Sequence, residues 1–224
     1  MATPFSFPGF SDAEWFCLIG ERHGNRTGYG QLLTDQANDL LLYTLHQQGR
    51  MFPAMPKQML SFPQGTTIKA FIASHSPHEL HFYERDMVTD ELAERAGLAP
   101  LIKKLRTMQV GFVGNPALKK LDVFPIHRFY ATDPNDFHLN RKGMQGVVRQ
   151  IMKDRDCDIY LFSSGISAAC IIGMLHGKLR ATLFDCGSIW DAFIGIGGQR
   201  EWRSRLYSDE KLLSNWKEKN KPIP

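Results

Sequence analysis

The last third of the chain constrains the fold most. "CDIYLFSSG" (157–165) is an apolar run rich in β-branched and aromatic residues that ends in a Ser-Ser-Gly turn. "ISAACIIGMLHG" (166–177) follows as an apolar stretch of helical length closed by Gly177, and "LRATLFDCGS" (179–188) returns to a strand pattern. Strand, helix and strand at this spacing predict a βαβ unit, whose strands run parallel with both sheet faces covered. Upstream, "RKGMQGVVRQIMKDRD" (141–156) predicts an amphipathic helix and "QVGFVGN" (109–115) another buried strand. "PALKKL" (116–121) predicts a short helix with Pro116 in its first turn, followed by the extended "DVFPIH". The expected class is α/β: a single-domain Rossmann-like fold, mainly parallel sheet with helices on both faces.

The first half is less regular. Residues 1–13 predict an extended N-terminal arm over the surface, and "WFCLIG" (15–20) a short buried strand. "LLTDQANDLLLYTLHQQG" (32–49) predicts a helix capped by Thr34 and closed at Gly49. "TIKAFIAS" (67–74) predicts a strand, then a polar loop in which His75, His78 and His81 alternate around Pro77 with no fourth metal ligand in reach. A charged helix runs from about Thr89 to Thr107, broken near Pro100. The domain is expected over 14–207, with a charged, aromatic tail over 208–224 that can form a final helix.

A chain of 224 residues with 43% hydrophobic content suits one large domain. Lys and Arg outnumber Asp and Glu by 27 to 23, a formal charge of +4 that admits anionic ligands such as nucleotides or DNA. Cys17, Cys157, Cys170 and Cys186 form no CxxC pair, so they predict buried free thiols in a reducing compartment. No run approaches the roughly 18 apolar residues of a membrane span, and "MATPFSFPGF" lacks signal-peptide features. A cytoplasmic protein with no membrane partner is expected.

Ligands of parallel sheets bind at the carboxyl ends of the strands. "GERHGNR" (20–26), "FVGNP" (112–116), "FSSGIS" (162–167) and "FDCGSIWD" (184–191) each follow an expected strand, so the four are predicted to share one rim. "SSGIS" opens a helix, whose unpaired amides and dipole favour phosphate; this makes Ser163, Ser164 and Gly165 candidate diphosphate contacts, although capping alone would use the same serines. Asp185, Asp191 and Glu21 are candidate catalytic bases, and Asp185 also suits a strand-end acid that bonds loop amides. "GIGGQREWR" (195–203) predicts either a flexible loop or a lid that closes Arg200 and Arg203 on a phosphate or acceptor. Trp190, Trp202, Tyr207 and Trp216, interleaved with Lys and Arg, suit base stacking or a packed helix.

Two resemblances compete for the cluster at 20–26. "RHG" (22–24) resembles the histidine phosphatase motif, which would make His23 the nucleophile and Arg22 and Arg26 its phosphate clamps. That family needs a second histidine at the end of a late strand, whereas His176 ends a helical pattern on the wrong edge.

The order of motifs over roughly 15–195 resembles the GT-D type glycosyltransferases, a former domain of unknown function. Their first strand runs into Gly-Asp-x-Glu, then a Gln and a long helix, similar to "CLIGERHG", Gln31 and the helix from Thr34. Their Val-Gly turn resembles "GFVGN". Their Gly-Pro-x-Ala and Asp-x-Gly-His resemble "LFSSGISA" and "LFDCGS", with 20 residues from Gly165 to Asp185. The resemblance implies a nucleotide-sugar donor, a glycan acceptor, and Mn²⁺ or Mg²⁺ on Glu21 and His23. Arg22 departs from the acidic motif and suggests that Arg22 and Arg26 contact the diphosphate directly. Ser188 replaces the family histidine, leaving Asp191 as an acid/base three residues on. The basic, aromatic tail extends this to hydroxymethylpyrimidine DNA as acceptor. A non-catalytic nucleotide-binding protein is the third expectation.

Overall fold

The computed structural model describes residues 3–27, 31–75, 80–196 and 201–221. Its elements, in chain order, are β1 (Ser6–Phe7), α1 (Asp12–Leu18), α2 (Asn38–Leu45), β2 (Ala54–Met55), α3 (Gly65–His75), β3 (Tyr83–Glu84), α4 (Asp90–Glu94) and α5 (Ala99–Leu105). There follow β4 (Val110–Gly114), β5 (Arg128–Ala131), α6 (Arg141–Asp154), β6 (Ile159–Ser163), α7 (Ile166–Leu175), β7 (Thr182–Asp185), α8 (Glu201–Tyr207) and α9 (Glu210–Lys219).

Among the described residues, five strands form a sheet of order β1-β7-β6-β4-β5, every pair parallel. The parallel pair β2-β3 lies beside it: Phe52 and Ala54 donate backbone N–H groups to the carbonyls of Ser6 and Pro8, and Phe10 donates to Ala54. Alternate strand residues feed two cores, as the pleat requires. Val113, Tyr160, Phe162 and Leu183 join one core with α1, α2, α6 and α7; Phe112, Ile159 and Leu161 join another with α5, α8 and α9. The α/β class with helices on both faces, expected from the last third of the chain, is what the chain adopts.

Three expectations in the first half are corrected. The arm is a strand: Ser6 and Phe7 pair in register with Leu183 and Phe184, and Phe7 stacks on Phe184. "WFCLIG" lies mostly in α1, not a strand. Glu14 reaches back to accept both the backbone N–H and the hydroxyl of Ser11 at 2.9 Å, a capping arrangement that starts the helix at Asp12. "TIKAFIAS" is also helical, within α3, and Ile68, Phe71 and Ile72 at i, i+3 and i+4 face the core. The first run is too uniformly apolar for periodicity to separate a buried helix from a buried strand, whereas the second carries a helical spacing in Ile68, Phe71 and Ile72.

Other boundaries move less. α2 begins at Asn38, so Thr34 does not cap it, and the charged segment divides into α4 and α5 with Pro100 in the first turn of the second. His75 ends α3 stacked on Phe71, while His78 lies outside the described residues. All four cysteines are free and buried. No helix among the described residues is long and apolar enough to cross a membrane.

Candidate active site

The strands deliver a set of polar residues to one cavity of about 150 Å³. Ser163 ends β6, Asp185 ends β7, Asn115 follows β4, and Arg85 follows β3, its backbone N–H reaching Met55 at 3.4 Å. Asp12 and Glu14 come from the first turn of α1, just beyond β1, and Gln31 from the segment before α2. The volume falls below the roughly 300–1,000 Å³ of sites that enclose a whole small molecule.

Asp185 is buried and held from both sides. Its Oδ2 accepts the N–H of Gly9 at 3.1 Å and its Oδ1 that of Gly187 at 2.8 Å. Burial raises its pKa above the usual carboxylate value, and Arg85 and the two amides pull it back part of the way. Glu14 is likewise raised by burial and partly restored by Arg85. Burial alone would lower the pKa of Arg85, but Asp185 and Glu14 hold its guanidinium more firmly protonated than usual. On the same cavity, α7 opens at Gly165, whose φ of +57° and ψ of −142° suit glycine. A Cβ there would stand 1.7 Å from Gln31 Nε2, so the glycine lets the glutamine lie across the helix start.

Asp191 completes the far wall. Arg203, fully buried, donates from Nη1 to Asp191 Oδ2 at 3.1 Å and from Nη2 to Ser188 Oγ at 2.8 Å. Burial, opposed by Arg203, pushes the Asp191 carboxyl up to about 6. A carboxyl poised there suits a general base near neutral pH.

Of the residues picked out from the sequence, Ser163, Ser164, Gly165, Asp185, Ser188 and Asp191 line this cavity. Glu21, Arg22, His23 and Arg26 do not, because the segment before them is a helix and ends elsewhere. Glu21 faces Gln64, and Arg22 lies 5.0 Å over the Phe16 ring. His23 Nε2 meets the Cys17 carbonyl at 3.0 Å, and Arg26 pairs with Asp136 at 2.9 Å. Neither Glu21 nor His23, the pair expected to hold a metal, borders the cavity. Arg203 is no lid cation, since it sits beneath Asp191, and Arg200 lies outside the described residues. Trp190, Trp202 and Trp216 are buried, Trp216 donating to the Ala93 carbonyl at 2.6 Å, so base stacking gives way to packing.

The phosphatase geometry does not form. His176 bonds Ser6 Oγ at 2.9 Å and the Gln48 carbonyl at 2.8 Å, beside a different cavity.

Sequence reading passed over Asp12, Glu14 and Arg85. The first two had a signal: the whole sequence holds one Asp-x-Glu, Asp12-Ala13-Glu14, and Ser11-x-x-Glu14 is a helix-start pattern. Arg85 had none, as only tertiary packing brings it to the rim.

No family model and no curated protein matches the sequence. Solved structures do. A structure of the highly conserved domain of unknown function 1792, described as having a distinct glycosyltransferase fold, aligns with TM-score 0.59 and 15% identity over 91% of this chain and 76% of that one. A selenomethionine-substituted structure of the same domain aligns over the same shares with TM-score 0.58 and 15% identity. The fold is that of the DUF1792 glycosyltransferases. A DUF1792 glycosyltransferase from Streptococcus sanguinis aligns with TM-score 0.58 and 12% identity, over 84% of this chain and 77% of that one. At such identities the likeness is one of architecture. In this chain Asp12-Ala13-Glu14 follows β1 and lines the cavity, whereas residues 21–23 do not.

Proposed function

We propose that the protein is a glycosyltransferase that moves a sugar from a nucleoside-diphosphate sugar to an acceptor hydroxyl. The observation that carries this reading is the convergence of Asp12-Ala13-Glu14, the start of α7 and Asp185 on one cavity at the strand ends. Departure of a nucleoside diphosphate builds negative charge on its terminal phosphate, and the free amides of α7 with Ser163, Ser164 and Gly165 are placed to meet it. The acceptor oxygen attacks the anomeric carbon as the bond from that carbon to the diphosphate oxygen breaks. The acceptor proton passes to the Asp191 carboxylate and the electron pair leaves with the diphosphate.

The resemblance implies Mn²⁺ or Mg²⁺, and the donor set bears on the fit. Asp12 and Glu14 supply two carboxylates from one helical turn, although Glu14 Oε2 already serves Ser11. Among the described residues no group of three or more His, Cys, Asp or Glu could hold a metal. Mg²⁺ commonly takes one or two carboxylates and completes its shell with substrate phosphates and water, and Asp12, whose carboxylate engages no hydrogen bond among the described residues, would be the one to hold it. A bound cation would offset charge on the diphosphate.

The acceptor is a hydroxyl on a glycan or on modified DNA. With the tryptophans buried, DNA retains only the formal charge of +4 as support. Incubation with UDP- and GDP-sugars, Mn²⁺ or Mg²⁺, and each acceptor class tests the reading through release of free nucleotide. Binding of nucleotide without release would instead make the chain a non-catalytic nucleotide-binding protein.

A further inference from the structure

The cavity holds one cation among its described lining residues, Arg85, and that cation is not fully spent on its neighbours. Arg85 is 6% exposed, yet its Nε and Nη1 have no hydrogen-bond partner. Buried polar groups are nearly always paired, and a guanidinium offers five donors in a fixed fork. Ser164, which lines the same cavity, is 5% exposed with its hydroxyl equally unpaired. Two unpaired donors lining one cavity, which the start of the ten-residue α7 also borders, call for an acceptor-rich anion.

The guanidinium is also held in place. A Cβ on Gly9 would lie 2.6 Å from Nε, and one on Gly187 would lie 2.6 Å from Nη2, so these two glycines shape the slot. The same two residues donate their N–H groups to Asp185, and Asp185 with Glu14 supplies the opposing charge. A donor fixed before the ligand arrives needs no reorganisation when charge develops.

We infer that Arg85 contacts the diphosphate of the donor, binding a phosphate oxygen together with Ser164 and the start of α7, in the cavity that Asp12 also borders. This rests on the transferase reading above. It adds a residue that directly follows β3, outside the motifs that carry the resemblance.

The probe is inorganic pyrophosphate, titrated calorimetrically with Mg²⁺ present and again with a chelator, against the wild-type chain and Arg85→Lys. The lysine keeps the charge and loses the fork. Arg85→Lys is expected to weaken pyrophosphate binding about tenfold or more in whichever condition the wild type binds. Equal affinity in a folded Arg85→Lys overturns the inference and leaves the transferase reading standing. A wild type that binds no pyrophosphate in either condition and releases no nucleotide from any donor overturns both. Should Arg85→Lys fail to fold, a wild-type crystal soaked with pyrophosphate decides. A phosphate oxygen within roughly 2.7–3.2 Å of a guanidinium nitrogen supports the contact, and a pyrophosphate bound away from Arg85 overturns it.

Discussion

Gly9 donates its backbone N–H to Asp185 Oδ2 at 3.1 Å, joining positions 176 residues apart across the ends of β1 and β7. The bond makes the N-terminal strand part of the site wall, because the same carboxylate fixes the Gly187 turn and faces Arg85. Asp185→Ala removes both amide acceptors and leaves a buried guanidinium with Glu14 as its main counter-charge. A loss of about 3 kcal/mol is expected, from the cost of stranding one partner of a buried pair. Urea unfolding of the variant beside the wild type measures it; a loss below about 1 kcal/mol would mean that the carboxylate is dispensable to the wall.

The Asp191 carboxyl, pushed up to about 6 by burial, makes a signed prediction for pH. A base must be unprotonated, so kcat/KM should hold above that value and fall as pH drops through it. Stability moves the other way. The folded state binds the proton more tightly than the unfolded chain does, so the Asp191 contribution favours folding at low pH and is lost as pH rises from the ordinary aspartate range to about 6. A pH–rate profile with an acid limb near 6, absent from residual Asp191→Asn activity, checks the first part. The second is read from Asp191→Asn, whose unfolding free energy should lack this dependence.

How far the sequence reveals this site depends on what each segment needs from its neighbours. The units from β6 to β7 are locally consistent: apolar runs, turn residues and helix start all point the same way, and Ser163, Ser164, Gly165, Asp185 and Asp191 fall on the cavity as expected. Trp15, Phe16 and Leu18 carry no such agreement, because a helix buried nearly all round shows no polar stripe. A strand over that run would put Glu21 and His23 at a strand end, whereas the helix puts Asp12 and Glu14 on the cavity instead. Ser11 and Glu14 held the contrary signal in a three-residue spacing. Arg85 reaches the rim only through the pairing of β2 with β3 beside β1, a long-range fact that no local pattern encodes.

Gly165 tests the start of α7. Its backbone conformation is one that side chains rarely adopt, and a Cβ would overlap the Gln31 amide. Gly165→Ala should cost about 2 kcal/mol in strain and push Gln31 off the helix start. Thermal unfolding should report the loss, and pyrophosphate titration should report weakened binding at the exposed amides. An alanine variant with wild-type stability and affinity would show that neither the φ nor the contact matters.

The two positions for the acidic motif differ most sharply in their mutants. Asp12 borders the cavity, and among the described residues no hydrogen bond or ion pair engages its carboxylate, so it is available to ligand or cation and carries little of the fold. Asp12→Ala should therefore reduce transferase turnover on the order of 100-fold while leaving unfolding within about 0.5 kcal/mol of wild type. Glu21→Ala and His23→Ala touch side chains outside the cavity, one facing Gln64 and the other the Cys17 carbonyl, and should keep turnover within about twofold. Steady-state assays of the three variants with one donor and saturating cation decide the matter. Loss of turnover in Glu21→Ala and His23→Ala with Asp12→Ala intact would return the motif to 21–23 and detach the chemistry from the cavity at the strand ends.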